Sequence, residues 1–422
     1  MEKKQLNERA VVVGQGYVGL PIAMAAHSAG FSVVGIDVDS ERIGIIESGE
    51  SPIADVASDL LREALASGRY RVTHDYALAE NFDVAVITVP TPLKDLKPDL
   101  SFLEDAAASL AQYLSPGSTV ILESTTYPST TEELLQPILE HGSGLKAGQD
   151  FWLGYSPERI DPGNQEWNLT NTPKIVSGVN EISLKKVDSF YAELGIPTVS
   201  VSGTREAEMV KLLENTFRHV NIALMNELLI FARALGVNLR EAIEAADTKP
   251  FGFMKFLPGP GVGGHCLPID PSYLSWAIEK KAGRNFRFVQ LANEVNSFMP
   301  EFVVSRSLEI LSMNGVQVEE GKIAVLGLAY KKDSADFREA PTLEVVRLLK
   351  LRGIDVTVYD SMIPAQLWPE TMKTARPHQT ARFDLGVLMT DHTKKLHPDP
   401  MTNCDWVLDT RGTLSGDNVV AL

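Results

Sequence analysis

One of the two cysteines of the 422-residue chain, Cys266, lies in the segment PGPGVGGHCLPIDP, residues 258–271. The glycines of this segment carry no side-chain bulk and its prolines restrict the backbone, so a ligand can approach the main chain closely. The pattern predicts a helix directly after it, with Asp270 as N-cap and Pro271 at the first helical position. Backbone amides and a helix N-terminus stabilise a thiolate, and we therefore interpret Cys266 as a nucleophile. The alternatives are a small buried hydrophobe for Cys266 and a plain cap for Asp270.

The other cysteine, Cys404, has polar neighbours at the start of a predicted strand, and we expect it to be an ordinary packed thiol. His265 is adjacent to Cys266 in the chain, so its side chain is expected to point elsewhere and not to form a Cys–His dyad. Two cysteines cannot build a disulfide framework or a four-thiolate zinc site. This usage indicates a reducing compartment, and no metal site is predicted.

A second set of informative residues is the glycine motif of RAVVVGQGYVGLPIAMAAHSAGFSVVGIDVDSERI, residues 9–43. Its glycines have G-x-G-x-x-G spacing between an apolar β-branched run and a helical pattern: Gly14, Gly16 and Gly19. An acid, Asp37, ends the next apolar run, and strand, turn, helix and strand in this order predict a dinucleotide site. Asp37 can accept hydrogen bonds from a ribose 2′-hydroxyl and repels a 2′-phosphate, which favours NAD over NADP, although Arg42 lies nearby. The alternative is a glycine turn that only packs the helix on the strand.

Two further predicted strands, FDVAVITVPTP at 82–92 and GSTVILESTTYP at 117–128, end in small hydroxyl residues and proline. Ligands of an open parallel sheet bind beyond the carboxyl ends of its strands. We therefore expect five residues to face the cofactor: Thr88, Pro90, Thr91, Ser124 and Thr125. For the prolines, turn chemistry explains the pattern equally well. A nucleotide cofactor together with a nucleophilic cysteine suggests an oxidation that passes through a covalent thioester.

From Thr204 the sequence predicts one long amphipathic helix, with Gly236 as its C-cap. It would span roughly 45 Å, longer than a small domain requires. We expect it to join two domains and to supply a dimer surface. Lys211, Asn215 and His219 recur every four residues, so they share one face of the helix that could point into a cleft.

The third region, GKIAVLGLAYKKDSADFREAPTLEVVRLLKLRGIDVTVYD at 321–360, repeats the plan of the first. An apolar strand, a glycine turn, a helix and a strand end at the acid Asp360, but the glycine fingerprint is incomplete. Lys331, Lys332 and Arg338 in its loop indicate an anion held by cations more than by amides, and Arg411 lies just past the last predicted strand. The alternative for each of these cations is a surface ion pair.

These segments predict an α/β protein with two Rossmann-like doubly wound domains joined by a central helical region that contains one long helix. The expected domains are residues 1–203, which bind NAD, residues 204–300, which form the helical dimerisation region, and residues 301–422, the second Rossmann-like domain. A ligand site is expected in the cleft between the two Rossmann-like domains.

Composition narrows the class of protein further. Hydrophobic residues make up 44% and charged residues 22% of the chain, an ordinary balance for a soluble globular protein. The formal net charge of −16 argues against a general nucleic-acid or acidic-membrane binder. The polar N-terminus lacks a signal-peptide core, and charged residues interrupt the most apolar helical stretch. We therefore expect a cytoplasmic protein with no membrane segment and no nucleic-acid partner.

Taken together, the motifs resemble the nucleotide-sugar 6-dehydrogenases, the family that includes UDP-glucose and GDP-mannose dehydrogenases. The resemblance extends over essentially the whole chain, through GQGYVGLP, ESTTYPSTT, YSPERIDPG, VKLLENTFRHVNIALMNE, PGPGVGGHCLPIDP, GLAYKKDSADFREAP and LDTRG. It implies oxidation of the C6 hydroxyl of a UDP-sugar to a carboxylate with two equivalents of NAD and one of water. It also implies a homodimer or larger homo-oligomer around the central helix, and a C-terminal domain that binds the nucleotide sugar.

The resemblance assigns roles to individual residues. It implies that Cys266 is the nucleophile for the aldehyde intermediate, and that Lys211 and Asn215 stabilise oxyanions or hold a catalytic water. Asp270 resembles the acid that orients this network.

Two more catalytic residues follow from the same resemblance. Glu158 resembles the general base for thioester hydrolysis, with a water held by Lys211 as the alternative, and Thr125 resembles the hydroxyl that positions water and contacts the cofactor. The implied cofactor contacts are Gly14, Gly16, Tyr17, Val18, Gly19, Asp37, Arg42, Thr88, Thr125 and Arg338. The implied substrate contacts are Glu158, Arg159, Lys211, Asn215, Gly261, Gly263, Lys331 and Arg411.

Departures from the family pattern bear on the substrate. His265 stands where UDP-glucose enzymes typically carry Ser, and Pro162 stands where many have a second acid after Glu158. The stretch KPFGFMKFLPGPGVGGHCLPIDPSYLSWA is most similar to UDP-N-acetylglucosamine 6-dehydrogenases of bacterial surface-polysaccharide pathways. Phe251 replaces an Arg that UDP-N-acetylmannosamine dehydrogenases tend to place there, one that reaches a partner subunit's sugar. UDP-N-acetylglucosamine is therefore the expected substrate, UDP-glucose or dTDP-glucose the second choice, and UDP-N-acetylmannosamine less favoured.

Two other classes of function are open to the residues alone. A two-electron dehydrogenase would stop at an aldehyde or ketone without a covalent cysteine, and would form one NADH per sugar. An NAD-binding sensor with a regulatory Cys266 would bind cofactor without turnover. A sensor would not explain why the chain carries four polar residues that could act together in catalysis: Lys211, Asn215, Asp270 and Glu158.

Overall fold

The computed structural model describes residues 8–53, 55–94, 97–160, 166–264, 267, 269–364, 367–369, 372, 381–394 and 399–422. The chain divides into two compact units, Met1–Glu214 with Ser272–Gly283, and Asn215–Pro271 with Arg284–Leu422. Each unit contains a largely parallel sheet packed with helices, which confirms the expected fold class. Pro162, His265 and Cys266 lie outside the described residues. Within the described part of the chain, no helix combines the length and the apolar character needed to cross a bilayer.

The strands of the first unit are β1 Arg9–Val13, β2 Ser32–Ile36, β3 Tyr70–Thr73, β4 Val84–Ile87, β5 Leu93–Lys94, β6 Lys97–Pro98, β7 Thr119–Leu122, β8 Trp152–Tyr155, β9 Lys174–Gly178 and β10 Thr198–Ser200. Strands β5 and β6 form a small antiparallel ribbon. The others form one eight-stranded sheet in the order β10-β9-β8-β7-β4-β1-β2-β3, in which only the β8–β9 pair is antiparallel among the described strands. Because β1 lies between β2 and β4, the strand order reverses at β1, which is where ligands of such sheets bind.

Helices cover both faces of this sheet. They are α1 Gly19–Ala29, α2 Ser40–Glu47, α3 Ser58–Ala66, α4 Ser101–Ala111, α5 Gln136–Ser143 and α6 Glu181–Glu193. Alternate residues of β1 serve opposite faces, since Ala10 and Val12 pack in the cluster that contains Leu20 of α1, whereas Val11 packs in the cluster that contains Leu103 of α4. Burial from both sides explains why β4 is apolar throughout, why β7 is apolar after Thr119, and why both strands are buried at every position.

Helix α7, Thr204–Ala234, is 31 residues long and is the long central helix expected from the sequence. It ends at the expected glycine: Gly236 has φ +68°, its N–H donates to the Arg233 carbonyl at 3.0 Å, and the Val237 N–H donates to the Ala232 carbonyl at 2.8 Å. Helices α8, Leu239–Asp247, and α9, Asp270–Ala282, follow. Helix α9 begins at Asp270 itself, one residue earlier than the cap pattern predicts.

The second unit holds α10 Arg287–Met313, α11 Pro341–Leu351 and the strands β11 Lys322–Leu326, β12 Asp355–Tyr359, β13 Phe383–Leu388, β14 Cys404–Asp409 and β15 Val419–Ala421. Its described strands pair in parallel in the order β12-β11-β13-β14-β15. Cys404 is buried at the start of β14, and burial raises the pKa of its thiol to about 12. It is the packed thiol that the sequence predicts.

Candidate active site

The glycine loop after β1 has the geometry of a pyrophosphate cradle. Gly14 has φ +94°, and a Cβ on it would lie 2.8 Å from the Thr88 carbonyl oxygen, so no side chain fits. A Cβ on Gly19, the first residue of α1, would lie 1.8 Å from the Gly14 oxygen. Gly16 instead has open space beside it, since a Cβ there would have no neighbouring atom within 4 Å. The loop therefore packs tightly on its protein side and is open on the side where a dinucleotide would approach the N-terminus of α1.

Asp37 follows β2 and is buried, and its carboxylate organises the same loop. It accepts hydrogen bonds from the Gln15 N–H at 2.7 Å and the Asp39 N–H at 2.9 Å. The guanidinium of Arg42 also donates to both of its oxygens, at 3.1 and 2.9 Å. Arg42 thus neutralises Asp37, the acid on which the preference for NAD depends. A bound ribose hydroxyl would have to donate its hydrogen bond to a carboxylate that already accepts hydrogen bonds from Arg42. Tyr17 is half exposed on the loop, and Val18 precedes α1 as its cap residue.

The hydroxyl residues after β4 and β7 mostly bond to main chain. Thr88 donates to the carbonyls of Val13 at 2.9 Å and Gly14 at 3.1 Å, which ties β4 to the glycine loop. Ser124 donates to the Val89 carbonyl at 2.7 Å. Thr91 likewise donates to the Thr125 carbonyl at 2.7 Å, and Pro90 is exposed. For Ser124 and Thr91, these hydrogen bonds to main-chain carbonyls are the ones expected if the hydroxyls stabilise turns, which is the alternative to a cofactor contact.

Thr125 is different, because its hydroxyl oxygen accepts a hydrogen bond from the Lys211 ammonium at 2.5 Å. Glu208, one turn earlier on α7, holds the loop that carries Thr125. The Glu208 carboxylate accepts hydrogen bonds from the Ser129 N–H at 2.6 Å, the Thr131 N–H at 2.8 Å and the Thr131 hydroxyl at 2.7 Å. Sequence reasoning missed Glu208, although its i−3 position relative to Lys211 places both on one face of the helix.

Glu158 lies just beyond β8 in a buried ionic cluster. Its Oε1 accepts hydrogen bonds from the N–H groups of Arg159 at 2.8 Å and Ile160 at 2.7 Å. Its Oε2 accepts a hydrogen bond from Lys174 Nζ at 2.9 Å. The same ammonium donates to Glu123 Oε2 at 3.1 Å. The hydroxyl of Tyr191 donates a short hydrogen bond to Glu123 Oε1. We call these four residues the Glu158 cluster: Glu123, Glu158, Lys174 and Tyr191.

The strand arrangement explains the Glu158 cluster. Glu123 directly follows β7, Glu158 lies beyond the neighbouring β8, and Lys174 begins β9, which is antiparallel to β8. Charged residues from three chain segments therefore lie at one edge of the sheet. Sequence reasoning found only Glu158; the signal that could have found the others was an acid and a lysine at the ends of otherwise apolar runs. Arg159 turns away from the cluster and forms a paired ion contact with Glu214, at 2.6 and 3.3 Å.

In the second unit, Asn215 Nδ2 donates to Asp270 Oδ2 at 2.5 Å. Asp270 is buried at the start of α9, so the contact fixes the orientation of the Asn215 amide. His219, one turn further along α7, is buried against α10 instead, with Nε2 at 2.8 Å from Asn293 Oδ1. The expectation that His219 points into a cleft is wrong, because packing between α7 and α10 covers the ring.

The glycines before the cysteine pack against protein. A Cβ on Gly263 would lie 2.7 Å from both the Glu339 carbonyl oxygen and Tyr330 Cβ, and one on Gly264 would lie 2.7 Å from the Tyr330 ring. A Cβ on Gly261, which has φ +125°, would lie 3.2 Å from Pro341. These glycines are required so that the loop can lie on the segment between β11 and α11.

Arg411 lies beside Gly259, since a Cβ there would be 3.2 Å from its Nη1, and its Nε donates to the Met389 carbonyl at 2.6 Å. Arg240, the second residue of α8, donates to the carbonyls of Pro258 at 3.2 Å and Thr410 at 3.0 Å. Neither guanidinium forms an ion pair with a described carboxylate. Burial and the nearby Arg240 lower the pKa of Arg411 to about 10. Two adjacent cations that pair with no acid in the described part of the chain favour an anionic ligand. Sequence reasoning found Arg411 and missed Arg240.

The other predicted cations of this unit differ in environment. Arg338 is exposed and pairs with Asp336 through three hydrogen bonds, at 2.9, 3.1 and 2.6 Å, which is the ion-pair alternative given above. Lys331 is half-buried on the loop after β11. Asp360, the counterpart of Asp37, accepts hydrogen bonds from the N–H groups of Leu328 at 2.7 Å and Ala329 at 3.0 Å. It also forms a hydrogen bond with His392 Nε2 at 3.1 Å. Asp360 therefore organises its glycine loop as Asp37 does in the first unit, with His392 beside it in place of Arg42.

Comparison with known proteins identifies the family of the chain. The domain models of the UDP-glucose/GDP-mannose dehydrogenase family match in chain order: the NAD binding domain at residues 8–194, the central domain at 205–298 and the UDP binding domain at 324–416. A UDP-N-acetyl-D-mannosamine dehydrogenase of Pyrococcus horikoshii is 39% identical over 84% of each chain. A UDP-N-acetyl-D-glucosamine 6-dehydrogenase of Pseudomonas aeruginosa is 36% identical over 85% of this chain and 84% of its own.

Solved structures agree over the full length. The structure of the UDP-D-ManNAc dehydrogenase from Pyrococcus horikoshii superposes with a TM-score of 0.87 at 34% identity, covering 98% of both chains. A UDP-glucose dehydrogenase from Pyrobaculum islandicum superposes with a TM-score of 0.84 at 25% identity, covering 100% of this chain and 98% of its own. The chain therefore belongs to the UDP-glucose/GDP-mannose dehydrogenase family and is an NAD-dependent nucleotide-sugar dehydrogenase.

Proposed function

We propose that this enzyme oxidises the C6 hydroxyl of a UDP-sugar to a carboxylate in a four-electron reaction, with Cys266 as nucleophile and UDP-N-acetylglucosamine as substrate. The observation that carries the proposal is the 2.5 Å hydrogen bond from the Lys211 ammonium to the Thr125 hydroxyl. A cation fixed on a hydroxyl, on the loop after β7 in the NAD-binding unit, is suited to an oxygen that gains negative charge during oxidation.

The chemistry divides between the cofactor and the chain. Bound NAD supplies the hydride acceptor for each oxidation. Lys211 stabilises the developing alkoxide, and Thr125 orients the reacting oxygen or a water. Cys266 Sγ bonds to the aldehyde carbon, whose oxygen takes a proton, and loss of that proton with a second hydride leaves a thioester. Water then attacks the thioester carbon, the C–S bond breaks, Cys266 leaves as thiolate, and the acid is formed.

Two further contacts suit the roles implied for their residues. Asp270 holds the amide of Asn215 at 2.5 Å, so the amide is pre-oriented for a developing oxyanion. Glu158, fixed by two main-chain N–H groups and Lys174, is available as the base that takes the proton of the hydrolytic water.

For the nucleotide sugar, we assign the anion-binding role to Arg411 with Arg240, and add Lys331 as a further contact. The support is the UDP binding domain matched at 324–416, together with two guanidiniums that lack a described carboxylate partner. Both cations lie in the second unit.

The choice of sugar rests on fewer residues. Phe251 is 70% exposed, with Lys249 Nζ 4.9 Å from its ring centroid, at the position where mannosamine enzymes tend to place an Arg. This favours UDP-N-acetylglucosamine. Relatives named for each of the two N-acetylhexosamines have similar identity, 36% and 39%, so UDP-N-acetylmannosamine joins UDP-glucose and dTDP-glucose as a substrate to be tested.

We also propose a cytoplasmic homodimer formed through α7. An apolar stripe runs along the exposed side of this helix at helical spacing: Met209, Leu213, Phe217, Leu224, Leu228 and Phe231. A continuous apolar stripe on a soluble protein is typical of an interface, and a second copy of the same helix is complementary to it.

The deciding experiment measures NADH formed per mole of limiting sugar nucleotide, run to completion in parallel with UDP-N-acetylglucosamine, UDP-N-acetylmannosamine and UDP-glucose. Two equivalents from one substrate and little from the others would establish both the four-electron route and the sugar. One equivalent would exclude the thioester route and favour a two-electron dehydrogenase.

A further inference from the structure

The Glu158 cluster contains a lysine that makes or breaks no bond in the proposed reaction. Lys174 is 4% exposed, and its ammonium lies between two buried carboxylates, 2.9 Å from Glu158 Oε2 and 3.1 Å from Glu123 Oε2. The ring of Tyr191 covers a third side, with its centroid 5.2 Å away. The main chain is also anchored, since the Lys174 N–H donates to the Pro197 carbonyl at 2.7 Å. Lys174 is therefore fixed, and its ammonium is directed at acids of the protein.

The hydrogen bonds of Glu158 leave one direction for a ligand. Two main-chain N–H groups use the acceptor capacity of Oε1, and the Lys174 ammonium takes one acceptor position on Oε2. The second position on Oε2 can accept one more donor. Glu158 is 9% exposed, so part of the residue can be reached from outside the cluster.

The charges around Glu158 decide its protonation. Burial opposes the charged form, but Lys174, the Ile160 N–H and the more distant Lys211 outweigh it and hold the pKa of Glu158 below its ordinary value. The side chain of Arg159 pairs with Glu214 instead. Glu123 behaves differently, since burial and the charge of Glu158 raise its pKa to about 7, even with Lys174 and Tyr191 beside it.

We infer that Lys174 is a positioning residue for the hydrolysis step: it keeps Glu158 ionised, with one Oε2 position ready to accept a proton from the attacking water. This inference rests on the proposed function. In that step the water oxygen bonds to the thioester carbon, its proton passes to Glu158, and the C–S bond breaks with the electron pair on sulfur. Lys174 touches neither substrate nor water and acts only through Glu158.

The test is a pre-steady-state measurement on the full-length enzyme with saturating NAD and UDP-sugar, repeated from pH 6 to 9. For Lys174→Met we expect a burst of two NADH per site, as in the wild type, followed by a linear phase slowed about tenfold or more at pH 7. Without the ammonium, burial raises the pKa of Glu158, so the linear phase should recover as pH rises. Intact-mass analysis at pH 7 should show the acyl-enzyme accumulating.

Three variants complete the design. Lys174→Arg retains the cation and should keep most of the rate and the wild-type pH profile. Glu158→Gln should lose the linear phase at every pH. The double variant Lys174→Met/Glu123→Gln is the substitute if Lys174→Met alone folds poorly, because it also removes the Glu123 carboxylate that would otherwise be buried without a cation. It should show the same recovery of the linear phase as pH rises.

The inference is overturned if Lys174→Met or the double variant keeps the wild-type linear phase and profile. It is also overturned if burst and linear phase fall together at all pH values in a folded variant, because that is the effect of a purely structural lysine. Failure of the proposed function itself would be seen in the wild type, as one NADH per sugar and no acyl-enzyme.

Discussion

The Lys211 ammonium donates a hydrogen bond to the Thr125 hydroxyl at 2.5 Å, which joins the central helix to the loop that follows β7. Lys211→Met removes the cation, and we expect kcat to fall about 100-fold or more, because the charge developing on the sugar oxygen is no longer stabilised. Binding of NAD, measured by calorimetry, should stay near the wild-type value. Lys185→Met, which breaks an exposed ion pair with Glu181, is the control and should change neither. A wild-type kcat in Lys211→Met would contradict the assignment.

The pairing of Arg42 with Asp37 predicts opposite effects on cofactor choice. Asp37→Ala should weaken NAD binding about tenfold through loss of the ribose acceptor, and should improve use of NADP because Arg42 can then bind a 2′-phosphate. Arg42→Met should lower use of NADP, since Asp37 is left unneutralised. The measurement is kcat/KM for both cofactors, with UDP affinity as control. Equal loss of NAD and UDP binding in Asp37→Ala would indicate a folding defect.

Arg240 and Arg411 form the anion site that we assign to the nucleotide. Arg240→Met should weaken UDP binding about tenfold and make it less dependent on salt concentration, because one cation beside the ligand is lost. Titration calorimetry with UDP at several salt concentrations measures both effects. Arg347→Met, which breaks an exposed pair with Glu344, should leave UDP binding unchanged. An unaltered salt dependence in Arg240→Met would exclude Arg240 from the site.

The apolar stripe of α7 predicts the oligomeric state. Phe231, 56% exposed, should lie in the dimer interface, and Phe231→Glu should shift the sedimentation equilibrium toward monomer because it places a charge in an apolar contact. Ile182, 50% exposed near the start of α6, supplies the matched control, since Ile182→Glu should leave the dimer intact. Dimers of unchanged stability in Phe231→Glu would place the interface elsewhere.

The two cysteines should react very differently. Burial raises the pKa of Cys404 to about 12, so its thiolate is scarce and iodoacetamide should not label it in the native enzyme up to pH 9. Labelling should occur at Cys266 and abolish uronate formation, and Cys266→Ala should do the same while NAD still binds. Cys404→Ala is the control with retained activity. Peptide mass mapping identifies the labelled site, and modification of native Cys404 would contradict its burial.

Local patterns in the sequence were sufficient for the fold and for the cofactor loop. Alternating apolar runs, glycine spacing and helix-ending glycines act over a few residues, so they predicted the strand-turn-helix around Gly14, the acid at Asp37 and the end of α7 near Gly236. The family motifs then pointed to Lys211, Thr125, Asn215 and Asp270, and the structure places these in two hydrogen-bonded pairs.

The partners of these residues depend on tertiary structure. Lys174 meets Glu158 because β9 runs antiparallel beside β8, and both meet Glu123, 51 residues before Lys174, because β7 is the other neighbour of β8. Arg240 approaches Arg411 only when α8 lies beside the loop after β14, and His219 is covered because α10 packs on α7. The sequence by itself determined which residues are chemically capable and which elements carry them. Only the packing of distant segments decided which charges meet in the protein interior, because burial and opposing charge, unlike periodicity, are set by neighbours in space.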